Sequence, residues 1–387
     1  MTLKRLVLEA ARLLCYIVMT PAGIVGRVFD RRDIWLLSEH PDQARDNGFC
    51  FFKYLRTEHP EIEAYYVIDK RADDYQKISK YGHIIQFNSL RHFYYFFTAR
   101  IHISSQIPAC RPFDAVASRY YRNIFRYKLV FLPHGVSYGI TEFCLKKYAK
   151  INLFICSGRL EYENVLLNYG YNNNEVAYTG FPRLDEWHNI TINKKQIVLM
   201  PTWRVFIVRN NVNFTDTEYY RRYQSLVTNT KLIAFLEKHD LKLIFYLHNN
   251  MRRRDYAQYF KSGSPNIEIT YRDDQYDIQE LLKTSALLIT DYSSVHFDFA
   301  YMGKPVIYYQ FDQKLFDEQQ YPHSIYQAER DGFGPVVFDE DAVENAIEEA
   351  FDRNFIMEDV YYKRMRYFYE LYDNHNCDRV YNKICQL

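Results

Sequence analysis

The sequence predicts an α/β protein made of two doubly wound domains. Three observations carry that expectation. Short apolar runs alternate with amphipathic stretches along most of the chain, as in parallel strands joined by crossover helices. Thirteen such runs are present, more than one sheet holds comfortably. The chain's 387 residues also exceed the size at which a single core keeps growing.

The first 32 residues stand apart. Leu3, Leu6, Val7, Ala10, Leu14 and Ile17 share one side of a helix, with Lys4, Arg5, Glu9 and Arg12 on the other. The uncharged stretch from Leu13 to Gly26 contains Pro21 and Gly23, which are expected to break it. It then falls short of the roughly 20 residues a spanning helix needs. Arg27, Arg31 and Arg32 add positive charge. Two readings stand: a helix lying in the plane of an anionic membrane surface, and an ordinary helix packed on the first domain.

The first domain, residues 33–185, takes candidate strands at Ile34–Ser38, Ala64–Ile68, His83–Phe87, Ile101–Ser105, Leu129–Leu132, Leu153–Ser157 and Glu175–Thr179. The second, residues 186–387, takes Ile197–Met200, Lys242–Leu247, Ile267–Thr270, Ala286–Thr290, Val306–Tyr309 and Val336–Phe338. Amphipathic helices are expected at Arg45–Thr57, Leu160–Asn168 and Thr217–Lys238, and a long C-terminal one at Met357–Tyr372. The turn signal Gly180-Phe181-Pro182 marks the boundary.

Bulk properties narrow the function. A formal charge of +1 supplies no global field for nucleic acid, so no nucleic-acid partner is expected. The seven cysteines are odd in number, widely spaced and without a CxxC pair, which suits a reducing compartment and buried thiols. No dinucleotide fingerprint, P-loop or HExxH occurs, and no tight His/Asp/Glu cluster suggests a metal cage. No cofactor is expected, and a need for a divalent metal is left open.

Ligands of open α/β sheets bind beyond the carboxyl ends of the strands, so the residues after each run carry the chemistry. After Ala286–Thr290 come Asp291, Tyr292, Ser293 and Ser294. Either serine can cap the following helix, or hydroxyls and free amides can seat a phosphate there. Asp291 would repel that phosphate, so its expected task is to orient amides or hydroxyls. After Leu129–Leu132 come Pro133, His134 and Gly135. His134 is a general base or a histidine satisfied in a turn. After Ile197–Met200, Thr202 and Arg204 can bind a diphosphate, with Trp203 more often a packing residue. His248 follows Lys242–Leu247. Arg183 is an anion contact or a partner of Asp185. Arg252-Arg253-Arg254 reads as a solvated helix face.

Together these segments resemble the CDP-glycerol glycerophosphotransferase family of teichoic-acid and capsule synthesis. The resemblance runs from about Ile34 onward through Ala44-Arg45-Asp46-Asn47-Gly48, Phe51-Phe52-Lys53-Tyr54-Leu55, Ser104-Ser105, His134-Gly135, Gly180-Phe181-Pro182-Arg183-Leu184-Asp185 and Pro201-Thr202-Trp203-Arg204. It is densest in Thr290-Asp291-Tyr292-Ser293-Ser294-Val295, Phe297-Asp298 and Lys304-Pro305. It implies a GT-B architecture, two Rossmann-like domains around a cleft. It further implies a CDP-glycerol or related CDP-polyol donor, a polyprenyl-linked acceptor, and a peripheral place on the cytoplasmic face of the cell membrane. His134 takes the role of catalytic base. His248, Ser293 and Ser294 become donor-phosphate contacts, with Arg204, Thr202 and Arg183 beside them. Asp46, Asn47 and Gly135 fall on the acceptor side. Two departures are visible. His134-Gly135 is followed by Val136-Ser137-Tyr138-Gly139 in place of Thr-Pro-Leu-Lys, and His248 by Asn249 in place of Pro. The competing readings are a GT-B sugar transferase using a nucleotide sugar and a non-catalytic membrane-docking protein.

Overall fold

A computed structural model describes residues 3–107, 111–112, 127–209, 212–271, 275–320 and 325–387. Cys110 and the side chains at 3–6, 8 and 9, among them Lys4, Arg5 and Glu9, lie outside that description. The chain forms two compact units. The first comprises Met1–Ser137, Thr141–Glu186 and Asp373–Leu387, and the second Tyr138–Ile140 and Trp187–Tyr372.

The first unit holds a wholly parallel sheet of seven strands in the order β3-β2-β1-β4-β5-β6-β7. These are β1 (Ile34–Ser38), β2 (Glu63–Ile68), β3 (Ile84–Gln86), β4 (Ile101–Ser104), β5 (Lys128–Phe131), β6 (Leu153–Cys156) and β7 (Val176–Tyr178). β1 is buried at every residue, as a central strand covered on both faces must be. The covering helices include α1 (Leu3–Phe29), α2 (Asn47–Glu58), α3 (Leu90–Thr98) and α4 (Arg159–Asn168). Ile34, Leu36, Val67, Phe96, Phe97, Phe131 and Phe154 belong to the core that α1, α3 and α4 cover; each such side chain contributes about 1.5–3 kcal/mol by burial.

α1 differs from the expectation. It runs unbroken through Pro21, because a proline forfeits one backbone bond while packing on α3 holds the rest. Gly23 and Gly26 permit that packing. A Cβ on Gly23 would lie 2.6 Å from Cβ of Phe97, and one on Gly26 would lie 2.7 Å from Cγ2 of Thr98. Arg27 donates to the carbonyls of Phe97, Thr98 and Ala99 at the end of α3, where a cation meets the negative end of a helix. The stretch Ala10–Phe29 is 20 residues long and apolar enough to cross a membrane by length and composition. The face away from α3 exposes Leu14, Ile17, Val18, Val25, Val28 and Phe29.

The second unit holds six parallel strands in the order β10-β9-β8-β11-β12-β13. They are β8 (Asn193–Leu199), β9 (Lys242–Phe245), β10 (Ile267–Ile269), β11 (Ser285–Thr290), β12 (Val306–Tyr309) and β13 (Val336–Val337). Along β8 and just past its end, Ile197 and Leu199 enter one core while Val198 and Met200 enter another. Both faces of the strand are thus covered, with the period of two that a pleat imposes. The helix expected over Thr217–Lys238 is two, α5 (Glu218–Val227) and α6 (Thr230–Lys238). Asn229 interrupts it, its side chain accepting from the amides of Lys231 and Leu232 as an N-cap. The C-terminal helix expected over Met357–Tyr372 is confined to Asp359–Phe368.

The last segment departs from the sequence-based division. Asp373–Leu387 belongs to the first unit. Asp185 accepts from the amides of Asn376 and Cys377 at 2.8 Å each, capping the start of the final helix Asn376–Ile384.

Candidate functional site

In the first unit the residues near His134 form a connected set. β5 ends at Phe131, and His134 follows in a bend with its side chain exposed. The backbone around it is held at several points. Asn47, buried in the first turn of α2, donates to the carbonyl of Pro133 at 2.6 Å and accepts from the amide of Arg183 at 3.1 Å. Glu161 accepts from the amide of Ser137 at 2.7 Å and from that of Ser157 at 2.7 Å. Asn164, one turn along α4, donates to the carbonyl of Ser137 at 2.8 Å. Burial raises the Glu161 carboxyl to about 7 against the pull of those amides.

Arg183 is 2% exposed, and its guanidinium pairs with Asp46 at 2.9 Å. It therefore pairs with Asp46 and not with Asp185, and Arg183 lies with Asp46 and Asn47 in the first unit. Asp46 also caps α2, accepting from the amide of Asn47. The turn before α2 closes on Glu39, whose carboxyl takes the amides of Arg45, Asp46 and Phe49. Burial first, and the Asp46 charge second, push Glu39 up to about 8.

In the second unit, β8 and β11 are neighbours from which the strand order runs outward in both directions. This is the switch point where open sheets bind ligands. Thr202 and Arg204 follow β8, and Asp291 to Ser294 follow β11, so the fold brings the two motifs together. Asp291 is wholly buried and accepts from the amides of Thr202 at 2.8 Å and Tyr292 at 2.5 Å, and from the Tyr223 hydroxyl at 3.1 Å. It also pairs with Arg204 at 2.8 Å. Arg204 is 0% exposed; its other bonds go to Asp312 and to the carbonyl of Thr202. Every guanidinium nitrogen is thereby engaged inside the protein. The expected clamp on a diphosphate is in this structure a brace between strand ends.

The Thr202 hydroxyl is buried and has no partner among the described residues. Ser293 and Ser294 are half-buried at the start of α7 (Val295–Tyr301). Ser294 occupies the N-cap position, yet its side chain makes no capping bond.

His248 follows β9, next to β8 in the sheet. Its Nδ1 accepts from the amide of Asn250 at 3.1 Å, which places the proton of the neutral ring on Nε2. Burial, then the charges of Arg252 and Arg253, lower it to about 4. Trp203 stacks on it with 6.0 Å between ring centroids. Of the three arginines beyond, Arg253 and Arg254 are exposed, but Arg252 is buried, lying 4.4 Å from the Tyr246 ring centroid and bonded to its hydroxyl.

Several participants escaped the sequence reading. Gln310 and Asp312 lie just past β12, and the strand-end rule that picked out Arg204 also covers them. Glu161 sits in the first turn of α4 and accepts from the amide and hydroxyl of Ser157, four residues back, where the capping-box pattern needs three, so no motif marked it. Tyr223 carried no signal, since only the fold brings α5 to Asp291.

The model of the family described as CDP-glycerol:poly(glycerophosphate) glycerophosphotransferase matches residues 22–386. The minor teichoic acid biosynthesis protein GgaB of Bacillus subtilis is 33% identical over 377 residues, covering 94% of this chain and 41% of that protein. The teichoic acid glycerol-phosphate primase of the same organism is 24% identical over 195 residues, 46% of each chain. The chain thus spans less than half the length of these relatives. Among solved structures, the wall teichoic acid polymerase TagF superposes with a TM-score of 0.63 at 15% identity, over 97% of this chain and 96% of that one. A putative UDP-N-acetylglucosamine 2-epimerase from Listeria monocytogenes, at 13% identity, covers 92% and 96% with a TM-score of 0.58. Both likenesses speak for the GT-B-like fold alone, which hosts more than one chemistry. By the match over residues 22–386, the chain belongs to the CDP-glycerol:poly(glycerophosphate) glycerophosphotransferase family.

Proposed function

We propose that this protein transfers glycerol phosphate, or a related polyol phosphate, from a CDP-activated donor to an acceptor hydroxyl in teichoic acid synthesis. The observation that carries the reading is the state of the second sheet's switch point. Asp291 is neutralised by Arg204 and tied to two amides and a hydroxyl, while the hydroxyls of Thr202, Ser293 and Ser294 remain for a ligand. Such a surface suits the donor diphosphate. His248, neutral near pH 7, offers its Nε2–H to the same phosphates.

In the reaction the acceptor oxygen bonds to the phosphorus that carries the polyol. The bond from that phosphorus to the bridging oxygen breaks, and CMP leaves. His134 takes the acceptor proton, and the clamped backbone on either side limits where its ring can go. Asp46, Asn47, Arg183 and Gly135 shape the acceptor side.

The acceptor is a polyprenyl-linked chain, and α1 holds the protein on the cytoplasmic face of the membrane. The exposed apolar face of α1, with Arg31 exposed at its end, supports an in-plane placement. A helix whose opposite face is notched onto α3 has only one side left for lipid.

The test is purified protein with CDP-glycerol, CDP-ribitol and a lipid-linked acceptor, reading CMP release and product length. CMP formation that needs both donor and acceptor is expected. Release of a nucleoside diphosphate from a nucleotide sugar, with no CMP from any CDP-polyol, would replace this reading with sugar transfer.

A further inference from the structure

Three successive carbonyls of the segment after β11 are held by side-chain donors. Gln310 Nε2 donates to the carbonyl of Asp291 at 2.8 Å. The Tyr138 hydroxyl donates to that of Tyr292 at 2.5 Å. His296 Nδ1 lies 2.8 Å from that of Ser293; a carbonyl only accepts, so Nδ1 carries the hydrogen. The next carbonyl, of Ser294, takes the amide of Phe297 at 3.1 Å. Among the described residues, the amides of Ser293 and Ser294 have no acceptor.

The pattern has an electrostatic consequence. A free carbonyl oxygen near a phosphate repels it, whereas a free N–H attracts it. Here the negative ends of the peptide groups are bound to protein donors, and two positive ends are left over. The donors are themselves fixed. Tyr138 packs against His296, Phe297 and Tyr326, and His296 is 1% exposed and stacked on Tyr326. An imidazole so buried stays neutral, which keeps a single hydrogen on Nδ1. Beside the segment, the buried Thr202 hydroxyl also lacks a partner.

We infer that Tyr138, His296 and Gln310 are positioning residues for the donor, acting together to turn the peptide groups of Asp291 to Ser293 so that only N–H and O–H groups face its phosphates. The inference rests on the proposed placement of the donor diphosphate at Ser293 and Ser294. It assigns a task to Tyr138, which stands where the sequence departs from the family pattern.

Tyr138→Phe, His296→Phe and Gln310→Met each remove one donor while keeping bulk. Each is expected to raise the Kd for CDP-glycerol and the donor KM about 3- to 10-fold, the worth of one hydrogen bond, with kcat changed less. His296→Asn restores an N–H near the Nδ1 position and is expected to recover most of the affinity. Amide hydrogen exchange across 291–296 is expected to quicken in the three variants and to return in His296→Asn. Wild-type exchange and wild-type donor KM in all three would overturn the inference. Ser293→Ala with Ser294→Ala tests the underlying placement separately. Unchanged CDP-glycerol affinity in that variant would overturn the placement of the donor on the two hydroxyls, while exchange still decides whether the three side chains hold the segment.

Discussion

Asn47 donates its side-chain amide to the carbonyl oxygen of Pro133 at 2.6 Å, one residue before His134. The helix start at one strand end thereby fixes the loop at another. Asn47→Ala leaves that buried carbonyl and the amide of Arg183 without a partner, at a cost of about 1–3 kcal/mol. The melting temperature should fall. In the protein that remains folded, kcat for CMP release should drop more than donor KM rises. Unaltered kcat would detach Asn47 from the His134 loop.

His134 is exposed and bears on stability little. His134→Ala should lower turnover by about 10²–10⁴-fold, the usual worth of a positioned base, with an unchanged circular dichroism spectrum and melting curve. Near-normal turnover would take the base role from it.

Arg204 lies fully buried between Asp291 and Asp312. Arg204→Met leaves two buried carboxylates without their cation, and breaking such an arrangement costs about 3–5 kcal/mol. Chemical denaturation should register that loss. Adding Asp291→Asn and Asp312→Asn should return part of it. A single variant as stable as the parent would show that the brace carries no weight.

His248 is held neutral, its folded value of about 4 lying below the ordinary 6.5. Between those values the unfolded chain binds the extra proton, so this group's contribution is present above pH 6.5 and is lost as pH falls toward 4. The slope is at most about 1.4 kcal/mol per pH unit. His248→Gln should flatten the acid side of the stability curve by that group's share. Denaturation midpoints from pH 4 to 7 that run parallel in the two proteins would contradict it.

The exposed face of α1 makes the proposed membrane placement measurable. Ile17→Asp with Val28→Asp places charges on that face, away from α3. Sedimentation with vesicles containing anionic lipid should fall sharply while CMP release from a soluble acceptor analogue persists. Binding that survives the change would assign α1 a purely structural part.

Much of this was legible in the sequence. The thirteen strands among the described residues appear where apolar runs predicted them, because a strand covered on both faces needs a near-continuous apolar run. Asp291, Ser293, Ser294, Thr202 and His248 could be picked out as candidates because they follow strand ends, where such sheets bind ligands. Propensity misjudged α1, since the loss of one bond at Pro21 is outweighed by packing that glycines at 23 and 26 allow. It also ran α5 and α6 together, because Asn229 reads as helical filler until its side chain is seen capping.

The partners were decided only by the tertiary structure. Arg204 reads alone as a phosphate clamp, and becomes a brace because β12 brings Asp312 beside it. Arg183 finds Asp46 rather than nearby Asp185 because the short turn Pro182–Glu186 that follows β7 packs against α2. Sequence dictates which groups stand at strand ends, since that follows from local periodicity. Which of those groups are neutralised, and which are left for a ligand, depends on burial and on contacts between distant segments.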